Sequence, residues 1–172
     1  MMLKHLQPQD VDGFLDLLEQ SFPQDERRPR DEQIAVLDDD GYTPLVVHDE
    51  QGTVAALITL WVLDEFVFVE HFAVRSDLRG AGLGSRVLAE LAQCFPKRIC
   101  LEVELPETDM ARRRIAFYER SGFSLNLYPY EQPAYAPDRE SVPLLIMTTD
   151  GPIERACFER LRDALYCRVY HI

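Results

Sequence analysis

The sequence has 172 residues, 47% of them hydrophobic, and a formal net charge of −12 at pH 7. That length suits a single domain over residues 1–172 with a sizeable core, and the acidic balance excludes a general nucleic-acid binder, which needs a basic face. No apolar run reaches the roughly 20 residues of a membrane span, because the longest, Thr53 to Val69, is broken by Asp64 and Glu65.

The N-terminal stretch MMLKHLQPQD lacks the apolar segment of a secretory signal. Cys94, Cys100, Cys157 and Cys167 form no CxxC pair, and no histidine is spaced for zinc, so no metal site is expected. Cys94 and Cys157 lie in apolar-periodic stretches and read as buried free thiols. The expectation is a reduced, cytoplasmic protein. Its acidic charge serves solubility and is compatible with a cationic substrate such as an amine.

Met1 to Gln7 reads as a short first strand. Pro8 to Ser21 is helical, with Val11, Phe14, Leu15, Leu17 and Leu18 at helical spacings. Phe22 to Arg30 is a charged loop containing Pro23 and Pro29, and Asp31 to Asp38 is a short helix. Gly41 to Val47 and Thr53 to Leu63 are strands joined by the turn Asp49-Glu50-Gln51-Gly52. Phe66 to Val74 is a third strand, rich in aromatic and β-branched residues. A glycine loop follows, then a helix over Leu83 to Phe95, stopped by Pro96. Arg98 to Leu105 is a strand, and Met110 to Ser121 a helix closed by Gly122. Phe123 to Tyr128 and Val142 to Thr148 are strands separated by a proline-rich loop, Pro129 to Ser141. A C-terminal helix over about 152–169 completes the chain; Ile153–Ile172 is the candidate segment for a homodimer, and its end, YCRVYHI, is apolar enough to pack on the core or on a partner. The order β-α-α-β-β-β-α-β-α-β-β-α implies an α/β (α+β) fold, a mixed central sheet with helices on both faces.

The sequence Arg79-Gly80-Ala81-Gly82-Leu83-Gly84-Ser85 lies between a strand and a helix. Glycines admit positive φ and close backbone approach, and a helix start offers unpaired N–H groups to an anion. No lysine follows, so the GxxxxGK[ST] phosphate loop is set aside. A dinucleotide GxGxxG pattern fits Gly80 and Gly82, with Glu102 twenty residues beyond Gly82 as the ribose ligand. Against it, the third glycine, Gly84, comes one position early, Ser85 takes its place, and the preceding strands are hairpin-linked.

The third pattern, [RQ]xxGx[GA], is met by Arg79 to Gly84 and resembles the acyl-CoA-binding motif of the Gcn5-related N-acetyltransferases, the GNAT family. "RRRIAFYERSGF", Arg112 to Phe123, resembles that family's later helix and its Gly-Phe turn into the next strand. The likeness in element order covers roughly residues 3 to 148. It implies an acetyl-CoA-dependent N-acetyltransferase in which a primary amine, on a small molecule or a peptide, attacks the thioester directly in a ternary complex. Two alternatives stand beside it: a catalytically inactive CoA-binding sensor of the same fold, and a dinucleotide-binding protein.

The resemblance puts the pyrophosphate on the N–H groups of Gly80, Ala81, Gly82, Leu83, Gly84 and Ser85, with Arg79 adding a charge-assisted hydrogen bond. Arg75 is a weaker candidate. It also implies that the Phe66–Val74 strand diverges from Arg98–Leu105, with pantetheine along Phe72, Ala73 and Val74 and a backbone N–H there supporting an oxyanion. Tyr118 matches the tyrosine that protonates the leaving thiolate, its ordinary pKa of about 10 keeping it a donor. The family's cofactor-contacting asparagine is missing, and Arg112, Arg113 and Arg114 occupy that region. A general base must come from strands facing the cleft: Glu70, Glu104 or Glu102. Alternation puts Glu102 and Glu104 on one face of their strand and His71 on the face opposite Glu70. Tyr130 and Tyr135, in the proline-rich loop, are expected either to wall the acceptor pocket or to cap the sheet edge.

Overall fold

The computed structural model describes all 172 residues. Seven strands form one mixed sheet: β1 (Lys4–His5), β2 (Tyr42–His48), β3 (Val54–Val62), β4 (Phe66–Val74), β5 (Arg98–Glu104), β6 (Phe123–Gln132) and β7 (Val142–Thr149), in the order β1-β2-β3-β4-β5-β7-β6. Every neighbouring pair is antiparallel except β4 and β5. That one parallel step needs a crossover, and α3 (Leu83–Cys94) supplies it.

The helices divide between the two faces according to their apolar stripes. Val87, Leu88 and Leu91 of α3 join Ile115 and Tyr118 of α4 (Asp109–Arg120) on one face, against Val67, Val69, Ile99, Leu101 and Val103. On the other face α1 (Val11–Ser21) packs on Val46, Leu57 and Ala73. Beside it α5 (Arg155–Arg168) sets Phe158, Leu161 and Leu165 against Trp61, Phe66, Phe68 and Ile146. The apolar face of α5 is thus used within the chain. A short helix, α2 (Arg30–Ala35), follows a single turn at Gln24–Glu26 inside the segment expected to be loop.

Three expectations are corrected. The strand predicted to end at Tyr128 runs to Gln132, because β6 is the sheet's outer strand. Its register breaks between Asn126 and Tyr130, where Pro129 costs no ladder bond. Cys94 is exposed at the end of α3 and Cys157 is half-buried, whereas Cys100, in the central strand β5, is the fully buried thiol. His71 does not oppose Glu70. Thr59 pairs with His71 and Leu60 with Val69, so Glu70 is the extra residue of a β-bulge, and a bulge breaks the alternation on which that expectation rested.

Candidate active site

The bulge has a second effect. β4 and β5 pair from Phe66–Arg98 to Val69–Leu101 and no further, while β4 continues on β3 as far as Val74 and β5 continues on β7 as far as Glu104. The two strands therefore splay beyond Val69, as the family likeness implied. The opening is a cleft of about 950 Å³, within the range of small-molecule sites.

At one end of the cleft lies the glycine loop. Gly80 and Gly82 have φ of 82° and 77°, a conformation that favours glycine. Gly82 is the N-cap of α3, and no side chain caps the helix or puts an acid in its first turn. The N–H groups of Leu83, Gly84 and Ser85 have no acceptor in the protein. They therefore present unpaired donors and the positive end of the helix dipole. Gly84 serves a different purpose: a Cβ there would sit 3.2 Å from Phe117 Cζ, so it lets α3 approach α4 closely.

The arginines sort themselves by partner. Arg79 is exposed and donates its Nε to the carbonyl of Val74 at 2.9 Å, leaving the end of its guanidinium free. Arg75 is held by Asp77 and Asp49 at 2.7 and 2.9 Å, which removes it as an anion ligand. Arg112 pairs with Asp109 and Arg114 with Glu104. Arg113, which lines the cleft, forms no ion pair. Along the open edge, Phe72 lies over Gly84, Ala73 is buried against α1, and Val74 accepts from Arg79.

Tyr118 lines the cleft from α4, its ring edge-on to Phe117 and Phe123 at 5.2 and 5.6 Å. Its hydroxyl makes no hydrogen bond within the protein, although most buried tyrosines find a partner. Burial raises its pKa to about 12.

The candidate carboxylates differ sharply. Glu70 is completely enclosed. Its Oε1 lies 2.7 Å from Arg28 Nη1 and accepts from the Tyr135 hydroxyl at 2.8 Å, and its Oε2 accepts from the indole of Trp61 at 2.9 Å. Burial pushes its pKa up, but the Arg28 guanidinium and the Trp61 and Tyr135 hydrogen bonds outweigh it and hold the group below its ordinary value. Those three partners occupy the carboxylate that sequence reasoning offered as a base. Glu104 is exposed and tied to Arg114 at 2.9 Å. Glu102 is different: it is half-buried, it lines the cleft, and its partner is the Tyr170 hydroxyl, at 2.7 Å from Oε1 and 3.1 Å from Oε2. Burial raises its pKa to about 7, against the opposing pull of the Tyr170 hydrogen bond.

Four contributors lie outside the motifs. Glu26 enters the cleft from the turn after α1, its carboxyl raised by burial and then by the charge of Glu104. His71, kept neutral by burial, donates its Nε2–H to the Glu26 carbonyl at 2.8 Å and so pins that turn to β4. Gln132 Nε2 donates to the carbonyl of Asp25 at 2.9 Å, and Arg28 completes the clamp through Glu70. The only sequence signal for Glu26 was an acidic residue between two prolines, and Tyr170 gave none. Tyr130 and Tyr135 do not wall the cleft. The first packs on Phe158 and the second bonds Glu70 beneath the site, because β6 carries this stretch inward on the sheet.

Gly82→Ala is expected to cost about 1 kcal/mol of stability and, on the expectation that acetyl-CoA sits on the Leu83–Ser85 N–H groups, to weaken its binding by tenfold or more, since the strain falls on those groups. Calorimetric titration beside urea unfolding checks both halves.

The sequence model of the acetyltransferase (GNAT) family matches residues 11–123. A Bacillus subtilis protein named as an acetyltransferase, YjbC, is 32% identical over 113 residues, which are 64% of this chain and 56% of that protein. The match thus spans little more than half of that relative's length. A solved GNAT-family protein of Bacteroides thetaiotaomicron, also named as an acetyltransferase, superposes with a TM-score of 0.89 at 32% identity, covering 100% of this chain and 99% of that one. A spermidine N-acetyltransferase variant from Vibrio cholerae shares the fold at 17% identity and a TM-score of 0.63, over 87% of this chain and 94% of its own.

Proposed function

Because the chain belongs to the GNAT family of acetyltransferases, we propose that it transfers an acetyl group from acetyl-CoA directly to a primary amine bound beside Glu26 and Glu102. One observation carries this reading: a single cleft holds an uncapped helix N-terminus, an unpartnered tyrosine hydroxyl and a carboxyl whose pKa lies near 7. The donor set fits a coenzyme A ester. The free N–H groups of Leu83, Gly84 and Ser85 suit the pyrophosphate, Arg79 and Arg113 suit the remaining phosphate charge, and the open edge of β4 from Phe72 to Val74 suits an amide-bearing arm.

Acetyl-CoA supplies the acyl group already activated as a thioester. Glu102, ionised above pH 7, takes a proton from the ammonium of the acceptor and leaves the neutral amine nitrogen as nucleophile. A C–N bond forms to the carbonyl carbon and the C–S bond breaks. Tyr118 gives its proton to the departing sulfur and recovers one from the amide nitrogen through solvent. The net products are an amide, a free thiol and one proton. Glu26 and Glu104 lend the acceptor side negative charge, which favours cationic amines over acidic ones. The spermidine-acetylating neighbour is compatible with that preference, so polyamines and lysine-bearing peptides head the amine panel.

Thermal unfolding with acetyl-CoA, beside NADH and ATP, tests the donor half. Ligand at ~100 times its Kd adds ~2.7 kcal/mol, a rise of roughly 5–10 °C for a chain of this size. A shift with NADH alone overturns the reading in favour of a dinucleotide site. A shift with acetyl-CoA but no turnover across the amine panel leaves a CoA-binding regulatory domain. Tyr118→Phe is expected to lower kcat about 100-fold with little change in KM for acetyl-CoA. That is the low end for general acids, because a thiolate is a fair leaving group with an ordinary thiol pKa of about 8.5.

A further inference from the structure

The segment after α5 reaches back across the sheet to the cleft. Val169 and Tyr170 close the helix, both bonding to the carbonyl of Leu165. Arg28 Nη2 donates to the Val169 carbonyl at 3.3 Å. The Tyr170 ring is buried 5.2 Å from that of Tyr135. Its hydroxyl therefore has a fixed approach to both carboxylate oxygens of Glu102. Tyr135 and the C-terminal segment with Val169 and Tyr170 lie outside residues 11–123, where the family model matches.

We propose that Tyr170 is a positioning residue for acetyl transfer: by donating its hydroxyl proton to Glu102 it fixes which way that carboxylate faces, and so ties the C-terminal segment to the chemistry of the cleft. The inference rests on the reading of Glu102 as the base. A proton shared between Oε1 and Oε2 restrains the rotation of the carboxylate and leaves the outer lone pairs for the acceptor. It also stabilises the ionised form.

The other groups around Glu102 do not duplicate this contact. Glu70 on β4 and Glu26 in the turn after α1 are like charges that push its pKa up. Tyr130 of β6 lies close enough for its hydroxyl to favour the ionised form, yet that buried hydroxyl makes no hydrogen bond of normal geometry. Tyr135 and Tyr166 feel the Glu102 charge but bond elsewhere, to Glu70 and to the Glu131 carbonyl. On its own strand, Cys100 is a buried thiol kept neutral. Tyr170 is the one side chain that makes a hydrogen bond of normal geometry to Glu102.

The test is a carboxyl-carbon NMR titration of protein carrying 13C-labelled glutamate, with Glu102→Gln assigning the resonance. Tyr170→Phe should raise the Glu102 midpoint by about one pH unit, the size of one charge-assisted hydrogen bond. The acid limb of kcat/KM, measured with the best acceptor of the amine panel, should move up by the same amount. A purely structural role for Tyr170 would lower the unfolding temperature and leave the midpoint in place, and that result overturns the inference. If Tyr170→Phe does not fold, 3-fluorotyrosine placed at position 170 decides. As a stronger donor of nearly the same shape it should lower the midpoint, and an unmoved midpoint is again fatal. Full activity in Glu102→Gln would instead sink the base assignment, a failure distinct from an unmoved midpoint in a protein whose Glu102 is essential.

Discussion

Glu102→Gln is expected to lower kcat/KM about 1000-fold with any amine the protein acetylates, and to raise its stability at pH 8. The two effects share one cause. Glu102 sits where burial holds its carboxyl near 7, so the folded chain binds a proton there that the unfolded chain, with a carboxyl near 4.3, has released. A folded-state pKa raised in this way costs stability progressively as pH climbs from about 4 through 7. The neutral amide removes that cost and keeps a hydrogen-bond acceptor for Tyr170. The loss of rate follows from the proposed role of Glu102 in taking the ammonium proton, an effect of 10²–10⁴ for general bases. In the unmodified protein kcat/KM should rise with pH through about 7, as Glu102 ionises, and that limb should be absent from the variant. A variant that keeps both its rate and its acid limb would falsify the assignment. Rate profiles from pH 5.5 to 9, with urea unfolding at pH 5 and 8, measure everything required.

The sequence carried the donor half of the site better than the acceptor half, for a physical reason. Gly80, Gly82 and the start of α3 present unpaired backbone N–H groups, so their spacing alone encodes the geometry, and Tyr118 rides on the same local logic one turn before Gly122. The acceptor half is built from contacts distant in sequence. Glu70 looked open because strand alternation faces it toward the cleft. The bulge at Thr59–Leu60 and the distant Arg28 instead enclose it. Glu102 and Glu104 are equivalent by alternation, and only Arg114 on one side and Tyr170 on the other separate them. The strands and helices were legible wherever an apolar stripe had one partner surface, as in β4 and α3. The reading slipped at β6, where prolines that signal a loop are tolerated because the strand lies at the edge. It slipped again at Cys94 and Cys157, whose burial depends on distance from the sheet centre and not on periodicity.

Arg28→Met should cost about 3–5 kcal/mol of stability at pH 7, a large share of what a domain of this size has to spare. The Arg28 side chain is 7% exposed, and that of its partner Glu70 is 0%. Removing the guanidinium strands a carboxylate among Trp61, Tyr135 and His71, with hydrogen bonds but no countercharge. The pH dependence separates this from a simple loss of packing. In the unmodified protein Glu70 is held below its ordinary pKa, so its contribution is complete above about 4.3 and is lost as pH falls through the lower folded value. Without Arg28 the same carboxyl is raised by burial. The penalty then grows as pH rises and vanishes where Glu70 is protonated in both states. The stability difference between the two proteins should therefore be small near pH 4 and large at pH 7. Arg28→Met combined with Glu70→Gln should recover more than half of the loss, since the uncompensated charge is gone. The pair also anchors the turn that carries Glu26, so the single variant should show a raised KM for the amine with KM for acetyl-CoA unchanged. Equal losses at pH 4 and pH 7 would mean that Arg28 matters for its bulk and that the turn is held by His71 and Gln132 alone.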